Sequence, residues 1–333
     1  MPKNQNNLNG KTLVISRTDS IGDVILTLPL CAWIKQKFPT ATIIFLGKKY
    51  TQPVLECFPS IDEIKYWDDL DSKSDVDIIS EFRSWNADIF VHVFPDKKIA
   101  KLVRKAKIPM RIGTSHRVYH LLTCNVRPNF TRKNSDLHEA QLNFELFSSF
   151  GIKEVPTMER IKEWLKAFES KSSVPKVFQT ILDTSRTKLI LHPKSQGSAV
   201  EWPLEKYTEL ATRLVDQNYR VYFSGTEKEG LLFREQLPKD QNIIDISGKM
   251  SLSEFISFIN EVDGLIACST GPLHIAAVLQ KRAIGLYTKV RPMHPGRWAP
   301  IGTKSETIVS LTESTSPENE IRSITVDQLI EKF

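Results

Sequence analysis

The sequence predicts an α/β protein with two doubly wound parallel-sheet domains in tandem. Short apolar runs alternate with segments of helical spacing, and the runs are apolar throughout, which is typical of strands covered on both faces. The alternation restarts after Lys171–Thr187, a segment rich in Ser, Thr and Lys. At 333 residues, the chain is longer than one ordinary domain. We therefore expect domains at 1–175 and 176–333, and the last helix could pack back on the first domain.

In the first half, four apolar runs bounded by turns or polar residues predict strands. They are Leu13–Ser16, Thr42–Leu46, Asp88–Phe94 and Met110–Ile112. Helical spacing predicts helices at Ile21–Phe38, Ile99–Ala106 and His138–Phe150, and Pro39 and Gly151 end the first and the last of these.

In the second half, five apolar runs predict a second parallel sheet. They are Lys188–His192, Arg220–Ser224, Asn242–Ile246, Gly264–Cys268 and Ala283–Tyr287. Helices are expected at Val177–Leu182, Leu204–Gln217 and Leu252–Asn260, and another is expected to start near Thr270.

The composition excludes several classes of protein. The chain has no run of 18 or more apolar residues, so no membrane-spanning helix is expected. Its polar start, Met1–Gly10, does not resemble a secretory signal. The four cysteines have no metal-ligand or redox spacing, and Cys31 and Cys268 lie in apolar segments as buried thiols. These features favour a reducing cytoplasm.

Several catalytic motifs are missing from the sequence. No G-x-G-x-x-G follows the first strand and no G-x-x-x-x-G-K-[ST] occurs, which argues against a dinucleotide oxidoreductase and a P-loop NTPase. A G-x-S-x-G elbow and a zinc motif are also missing. Asp75-x-Asp77 precedes a predicted strand and favours a surface position over a metal–diphosphate site. We therefore expect no metal and no cofactor.

The most informative stretch is Ser269–His274, directly after the strand that ends at Cys268. A helix is predicted to start there, with Thr270 as its cap and Pro272 in its first turn. Gly271 would let a ligand approach the backbone closely. The N–H groups at this helix start would form an anion site suited to a diphosphate. The alternative is a well-capped buried helix without a ligand.

Loops beyond the carboxyl ends of parallel strands are where ligands bind, so they are the candidate sites. In the second half, these loops carry hydroxyls, glycines, histidines and Lys194, which suits a nucleotide with phosphates. Glu227 or Glu229 could accept hydrogen bonds from a ribose, or either could be a solvated carboxylate at a helix start. His274 could donate to a phosphate oxygen, or it could be a buried structural partner.

The loops of the first half are basic at four separate strand ends, which favours an acceptor with negative charge. The basic residues are Arg17, Lys48, Lys49, Lys97, Lys98, His116 and Arg117. Asp23 lies among them, and Ser20-x-x-Asp23 also resembles a capping box. A helix start would keep Asp23 ionised and ready to take a proton from an acceptor hydroxyl.

The net charge is +6, and Lys and Arg are concentrated at Lys97–Arg111. The run could be a solvated helix face, or it could meet an anionic substrate or a membrane surface. Membrane contact would be peripheral, through this run and exposed apolar residues such as Trp67 or Trp85. Nucleic acid is disfavoured because the sequence contains no nucleic-acid-binding module.

These motifs resemble those of the family 9 glycosyltransferases, the lipopolysaccharide heptosyltransferases. Ser16–Leu30 resembles the opening motif of the family, and Leu191–Pro203 resembles its donor loop. Ser269–Ala277 resembles its diphosphate-binding turn, and Pro292–Trp298 resembles the segment after the next strand. The motifs recur in order from residue 11 to about residue 302, so the resemblance covers most of the chain.

The resemblance implies the GT-B architecture, in which two Rossmann-like domains face a cleft. It implies an inverting, metal-independent transfer of a heptose from ADP-heptose to lipid A–Kdo or the lipopolysaccharide core. Asp23 matches the catalytic base, Met250 matches a residue beside the adenine, and Thr270, Gly271 and His274 match donor contacts. With the strand-end loops, the full expected donor set is Lys194, Ser195, Thr226, Glu229, Met250, Ser269, Thr270, Gly271 and His274; the acceptor set is Arg17, Lys48, Lys98 and Arg117.

Two positions depart from the family pattern. Ser269 stands where the family usually has Asp, and Val200 stands where it usually has a basic residue. Both positions contact the donor in the family. The two changes could offset each other in charge, or they could mark a different nucleotide-sugar. Lys194 could supply the missing positive charge.

The leading prediction is a monomeric transferase that uses a nucleotide-sugar and an anionic glycolipid at the cytoplasmic face of the inner membrane. Two other functions stay open. One is a nucleotide-sugar epimerase or hydrolase of the same fold, which would turn over the donor without an acceptor. The other is a nucleotide-sugar-binding protein whose catalysis has decayed.

Overall fold

The computed structural model describes residues 7–133, 135–150 and 154–333. The chain divides into two compact units, Met1–Ala167 and Phe168–Phe333. The sequence places the division later, between residues 175 and 176. Each unit contains one parallel sheet.

The first sheet has five strands, in chain order β1 (Thr12–Ser16), β2 (Thr42–Gly47), β3 (Glu63–Tyr66), β4 (Ile89–His92) and β5 (Met110–Ile112). Across the sheet their order is β3-β2-β1-β4-β5. Ser16 at the end of β1 lies beside His92 at the end of β4. The connections reverse direction between these two strands, so the carboxyl ends of β1 and β4 form the switch point at which such sheets bind ligands.

Nine helices cover this sheet within the described residues: α1 (Ile21–Ile25), α2 (Leu28–Lys37), α3 (Gln52–Glu56), α4 (Asp68–Asp71), α5 (Asp75–Ser84), α6 (Lys97–Lys105), α7 (Val118–Thr123), α8 (Glu139–Phe144) and α9 (Met158–Leu165). Short 3-10 helices occupy Lys49–Thr51 and Glu145–Phe150. The single helix predicted at Ile21–Phe38 is two helices, because Thr27 interrupts it and Pro29 lies in the first turn of α2. The helix predicted at His138–Phe150 continues beyond α8 only as a 3-10 helix.

Trp67 and Trp85 belong to the core of the first unit and are buried. Phe82 of α5 packs against both, with ring centroids 6.4 Å from Trp67 and 4.9 Å from Trp85. The expectation that these tryptophans are exposed for membrane contact is therefore wrong. Apolar residues of α5 and α6 cover them instead.

The second sheet has six strands, in chain order β6 (Thr187–His192), β7 (Tyr219–Phe223), β8 (Ile243–Asp245), β9 (Gly264–Cys268), β10 (Arg282–Tyr287) and β11 (Ser305–Val309). Across the sheet their order is β11-β10-β9-β6-β7-β8. Counted from the first strand of the unit, this is the order 3-2-1-4-5-6 of dinucleotide-binding domains, read from the other edge. His192 of β6 lies beside Ala267 of β9, so the switch point lies at the ends of these strands.

The helices of the second unit are α10 (Lys176–Leu182), α11 (Leu204–Asp216), α12 (Glu227–Phe233), α13 (Leu252–Glu261), α14 (Gly271–Val278), α15 (Pro295–Trp298), α16 (Pro317–Ser323) and α17 (Val326–Ile330), and a 3-10 helix occupies Arg234–Gln236. Val326 and Leu329 of α17 join the core of this unit. Arg213 of α11 donates to Asp327 at 2.7 Å. The last helix is therefore part of the second unit.

The sequence did not reveal the edge strands β3 and β11. Both contain charged and partly exposed residues, such as Glu63, Lys65 and Glu306. An edge strand has a neighbour on one side only, so it does not need the continuous apolar run that marks a central strand.

The structure also gives the state of the cysteines and the lengths of the helices. All four cysteines are buried free thiols, as predicted for Cys31 and Cys268. Among the described residues, no helix is both long and apolar enough to cross a lipid bilayer.

We predict that Trp67→Ala lowers the free energy of unfolding by about 3–5 kcal/mol, because it removes a large side chain from the core. Chemical denaturation followed by circular dichroism measures the change. Val76→Ala, at an exposed position of α5, is the control and should change stability by no more than about 0.5 kcal/mol. A Trp67→Ala protein as stable as this control would contradict the buried position.

Candidate functional site

Arg17, the first residue after β1, is the centre of a charged cluster in the first unit. Its guanidinium is only 4% exposed. Nε donates to Asp19 at 2.8 Å, Nη1 donates to Glu139 at 3.3 Å, and Nη2 donates to Asp23. One buried cation thus binds three carboxylates, which we call the Arg17 cluster.

Glu139, in the first turn of α8, joins a second arginine to the Arg17 cluster. Its side chain is 1% exposed, and Arg132 also donates to it. Arg132 further donates to Val93 O at 3.3 Å and to Asn143 Oδ1 at 3.0 Å. Burial alone would lower the pKa of Arg17, but Asp23, Asp19 and Glu139 raise it above its ordinary value. Arg17 therefore stays charged.

Asp23 lies in the first turn of α1, and its side chain is 17% exposed. One carboxylate oxygen accepts from Arg17, and the other accepts from Ser20 Oγ at 2.6 Å. Ser20 occupies the N-cap position but makes no side-chain cap bond, so the predicted capping box does not form. A carboxylate has about four acceptor positions. Asp23 is therefore held in place and still has capacity for a hydroxyl.

Asp19 is the second partly exposed carboxylate of the Arg17 cluster. Burial raises its pKa to about 6, the charge of Asp23 adds to the rise, and Arg17 opposes it. Its backbone oxygen accepts from the Tyr50 hydroxyl at 2.7 Å. Asp19 therefore takes up a proton at a higher pH than an ordinary aspartate.

Buried polar atoms also lie at the ends of β1 and β4. Ser16 Oγ and both ring nitrogens of His92 have no hydrogen-bond partner in the described ranges. Burial, together with the neighbouring His120 and Arg111, lowers the pKa of His92 to about 3. His92 is therefore neutral at pH 7.

The other predicted acceptor residues follow different strands of the same sheet. Lys48 follows β2 and is half-buried, and Arg117 precedes α7 and is exposed. Lys98 donates at 2.7 Å to both the backbone oxygen and Oδ1 of Asp71. Its charge is thus engaged by α4, which weakens its assignment as an acceptor contact.

In the second unit, α14 starts three residues after β9 ends, with Thr270 at its N-cap position. Thr270 is 5% exposed, and its side chain makes no cap bond. Among the described residues, its hydroxyl has no hydrogen-bond partner at all. The expectation that this side chain caps the helix is therefore wrong. A buried hydroxyl and the first-turn N–H groups of α14 are left for an anion.

The neighbours of Thr270 complete the turn. His274 is buried one turn into α14. Ser269 is half-buried, and its side chain is hydrogen-bonded to Tyr287, whose pKa is raised by burial. Gly271 and Pro272 form the first turn of the helix, as the sequence predicts. Ser269 thus has a structural partner on β10.

The loop after β6 is fixed by Glu201. Lys194 Nζ donates to Glu201 Oε2 at 2.9 Å, and Ser195 donates to Oε1 from its backbone at 2.8 Å and from its hydroxyl at 3.0 Å. Val200 packs against the core of the unit. Lys194 is therefore partly neutralised by Glu201. Sequence reasoning missed Glu201, because its position before Trp202 gave no sign of this pairing.

Thr226 and Glu229 form a capping box at the start of α12. Thr226 donates to Glu229 Oε2 from its backbone at 2.7 Å and from its hydroxyl at 2.9 Å, and Glu229 N donates back at 3.3 Å. Glu229 is buried, which excludes the alternative in which its carboxylate is a solvated group at a helix start. The structure gives both residues a structural role. Met250 is half-buried in the turn before α13.

His192, the last residue of β6, is buried at the switch point of the second sheet. Its Nδ1 shares a hydrogen bond of 2.9 Å with Ser224 Oγ. Burial lowers its pKa to about 4, although Glu229 and Glu201 oppose the shift. The imidazole is therefore neutral at pH 7.

Arg132 and Glu139 were not predicted from the sequence, because neither residue lies directly after a strand of the first sheet.

Within the parts of the chain that the structure describes, no group of three or more His, Cys, Asp or Glu could hold a metal ion.

Two parallel-sheet units, with polar residues at both switch points, are the fold of the solved heptosyltransferases of the GT-B class. Residues 78–326 match glycosyltransferase family 9, the heptosyltransferases. The chain therefore belongs to glycosyltransferase family 9, a heptosyltransferase family of lipopolysaccharide core biosynthesis. The predicted family and the predicted parallel α/β fold are both confirmed.

Individual relatives agree with this assignment. The chain is 23% identical to the lipopolysaccharide core heptosyltransferase OpsX of Haemophilus influenzae, with 92% of this chain and 87% of the relative covered. It is similar in fold to ADP-heptose heptosyltransferase II of E. coli, with a TM-score of 0.75, 20% identity and 97% of each chain covered. E. coli heptosyltransferase WaaC, solved with ADP-2-deoxy-2-fluoro heptose, gives a TM-score of 0.70 at 17% identity, over 96% of this chain and 99% of WaaC.

We predict that Glu139→Gln lowers the free energy of unfolding by about 3–5 kcal/mol, because it removes the carboxylate that Arg17 and Arg132 share in the interior. Urea denaturation measures the loss. Glu163→Gln, which breaks an exposed pair with Lys166, is the control and should cost less than about 1 kcal/mol. Equal stability of the two variants would show that Glu139 does not compensate the arginines.

We also predict acid sensitivity from His192. Its folded pKa, about 4, lies below its ordinary value of 6.5, so the unfolded chain binds the proton more tightly. Stability is therefore lost as pH falls from 6.5 towards about 4, and this contribution is constant above 6.5.

The variant His192→Asn should lose this part of the pH dependence, measured as unfolding free energy at a series of pH values. His116→Asn, at an exposed position, should keep it. An unchanged pH dependence in His192→Asn would assign the effect to other groups.

Proposed function

We propose that this protein transfers a heptose from ADP-heptose to lipid A–Kdo or the lipopolysaccharide core, with inversion and with Asp23 as the base. The observation that carries the proposal is the position of Asp23. Its carboxylate is partly exposed beside the switch point of the first sheet, and Arg17 and Ser20 fix both of its oxygens. Family membership makes the reaction class a sugar transfer.

The proposed step is a single displacement. The acceptor hydroxyl oxygen attacks the anomeric carbon and forms the new glycosidic bond, while its proton passes to Asp23. The bond from the anomeric carbon to the phosphate oxygen breaks, and its electron pair leaves with ADP. Attack opposite to the leaving group inverts the anomeric configuration. Arg17 and Ser20 act by holding Asp23 in position.

For the donor side, we propose that the start of α14 binds the diphosphate. Thr270 offers a buried hydroxyl that has no partner in the described ranges of the chain, and the first-turn N–H groups and His274 lie beside it. An anion at a helix start satisfies groups that the helix itself leaves unpaired. Met250 is proposed to contact the adenine, and Lys194 and Ser195 the phosphates. WaaC, of similar fold, is solved with an ADP-heptose analogue.

The remaining parts of the proposal concern the acceptor and the setting. Exposed basic residues after the strands of the first sheet, such as Arg117, favour a phosphate- or Kdo-bearing acceptor. We propose that the enzyme works as a monomer on the cytoplasmic face of the inner membrane and needs no cofactor. Basic side chains and helix N–H groups would neutralise the diphosphate in place of a metal.

We predict that Asp23→Asn and Asp23→Ala lower the rate of sugar transfer by about 10²–10⁴, the usual contribution of a positioned base. Product formation is measured with ADP-heptose and lipid A–Kdo, and donor binding by calorimetry should stay unchanged. Asp19→Asn, in the same loop and on the same arginine, is the matched control and should lose less activity.

Three outcomes would contradict this assignment. Near-normal transfer by a folded Asp23→Ala protein would exclude Asp23 as the base. ADP release that needs no acceptor would favour a hydrolase or epimerase. Donor binding without turnover on any acceptor would favour a binding protein.

We predict that Thr270→Val weakens ADP-heptose binding about tenfold or more, because it removes a hydrogen bond to a charged group. Without ligand, the Thr270→Val variant should be as stable as the wild-type protein or more so, since the Thr270 hydroxyl that it removes has no partner in the described part of the chain. Thermal shifts with ADP-, GDP-, UDP- and CDP-sugars measure both effects, and ADP-heptose should give the largest shift. Thr226→Val, which removes a cap, should instead destabilise the free protein by about 1 kcal/mol. Unchanged ADP-heptose affinity in Thr270→Val would contradict the donor site.

A further inference from the structure

Helix α7 presents its apolar side chains outward. Val118, Leu121 and Leu122 are 82%, 54% and 72% exposed, and their spacing places them on one face. The buried residues of the helix are polar: His120 and Thr123. This is the reverse of an ordinary surface helix, whose apolar side faces the core. A contiguous exposed apolar face indicates a binding surface.

The chain around α7 is strongly basic. Residues 97–127 contain nine Lys and Arg and no Asp or Glu. Because the net charge of the whole chain is +6, the residues outside this segment have a net charge of −3. The basic segment therefore accounts for the entire net positive charge of the protein.

Helix α6 packs against α7. The Lys and Arg side chains of α6 fall into two sets. Lys98 and Lys105 are paired with Asp71 of α4 and Asp75 of α5. Lys97, Lys101 and Arg104 lie on another face, at a helical spacing of four and three residues. Their side chains are exposed and have no hydrogen-bond or ion-pair partner in the described part of the chain. We call these three residues, with Arg117 and the apolar face of α7, the α6–α7 surface.

The α6–α7 surface lies at the functional edge of the first sheet. Helix α6 follows β4, and α7 follows β5, so both helices start beyond the carboxyl ends of their strands. Arg17 and Asp23 follow β1 at the same edge. A ligand that covers the α6–α7 surface would thus lie on the side of the unit that carries the Arg17 cluster.

We propose that the α6–α7 surface docks on an anionic lipid bilayer. Val118, Leu121 and Leu122 would enter the interface, while Lys97, Lys101, Arg104 and Arg117 would meet lipid phosphates. A second copy of the chain fits less well, because a symmetric contact would bring two acid-free basic segments together. The proposal deepens the proposed function, on which it rests for its biological role: it places a lipid-linked acceptor at the edge that carries Asp23.

Vesicle flotation of the full-length protein tests the proposal. The probes are phosphatidylcholine vesicles with and without about one third phosphatidylglycerol, free of any glycolipid, at low and high salt. Binding is expected only to the anionic vesicles and should weaken with salt. Lys97→Gln/Lys101→Gln/Arg104→Gln should weaken it about 100-fold, since each basic residue contributes about fivefold. Val118→Ser/Leu121→Ser/Leu122→Ser should weaken it at least tenfold.

Matched variants control for charge and for apolar surface elsewhere. Lys176→Gln/Lys239→Gln/Lys304→Gln removes three exposed lysines of the second unit. Leu231→Ser/Leu232→Ser removes two exposed leucines of α12. Both proteins should bind vesicles like wild type, and all variants should keep the wild-type melting temperature because their positions are exposed.

Several results would overturn the proposal. They are binding to neutral vesicles alone, no binding to either vesicle, and anionic binding that survives both α6–α7 variants. A dimer in ultracentrifugation that the apolar variant abolishes would instead make the surface a self-association interface. Transfer to a delipidated, water-soluble acceptor separates the two proposals: the apolar variant of α7 should retain it. If the wild-type protein binds anionic vesicles but transfers sugar to no acceptor, the proposed transferase function is wrong, whereas the proposed membrane-binding surface is supported.

Discussion

The burial of Arg17 is the constraint on which the functional edge of the first unit depends. A guanidinium removed from water costs several kcal/mol unless opposite charges and hydrogen bonds compensate it. Asp19 and Asp23 supply this compensation from the next few residues, and Glu139 supplies it from a helix distant in sequence. One ionic cluster therefore fixes the start of α1 and ties α8 to the end of β1. The same contacts leave Asp23 ordered and partly exposed, which is the condition for a positioned base.

The Arg17 cluster and the start of α14 differ in how their polar groups are satisfied. In the first unit, the carboxylates around Arg17 already have donors in the free protein. In the second unit, the hydroxyl of Thr270 is buried and has no partner among the residues that the structure describes, which is uncommon in a folded interior. A preordered carboxylate suits a group that must accept a proton, and an unsatisfied donor at a helix start suits a site that is completed by a phosphate. The chemistry that we propose for each unit follows from this difference.

The sequence predicted the central strands, the parallel fold and the turn at Ser269–His274, because buried strands and helix starts have strong local patterns. It did not reveal β3 and β11, whose edge positions permit exposed charges, or the division of the helix at Thr27. Single residues near strand ends were harder to interpret. Glu229 and Lys98 looked like ligand contacts, yet the structure gives them a capping box and an ion pair. Glu139 was not predicted because its partner Arg17 is far away in the chain, and Arg132 was not predicted because it joins the cluster through Glu139. The burial of Trp67 was not predicted because burial of one aromatic side chain has no local signature in the sequence.

The anomeric configuration of the product distinguishes a single displacement from a double one. We propose a single displacement in which the acceptor oxygen attacks while Asp23 takes its proton. Proton NMR of the reaction of ADP-heptose with lipid A–Kdo, followed from its first turnovers, reports the anomeric coupling of donor and product. A single displacement gives the new glycosidic bond the configuration opposite to that of the donor, and we expect this result. Retention of the donor configuration would contradict it, because retention requires a second displacement or a front-side attack that the proposed role of Asp23 does not provide.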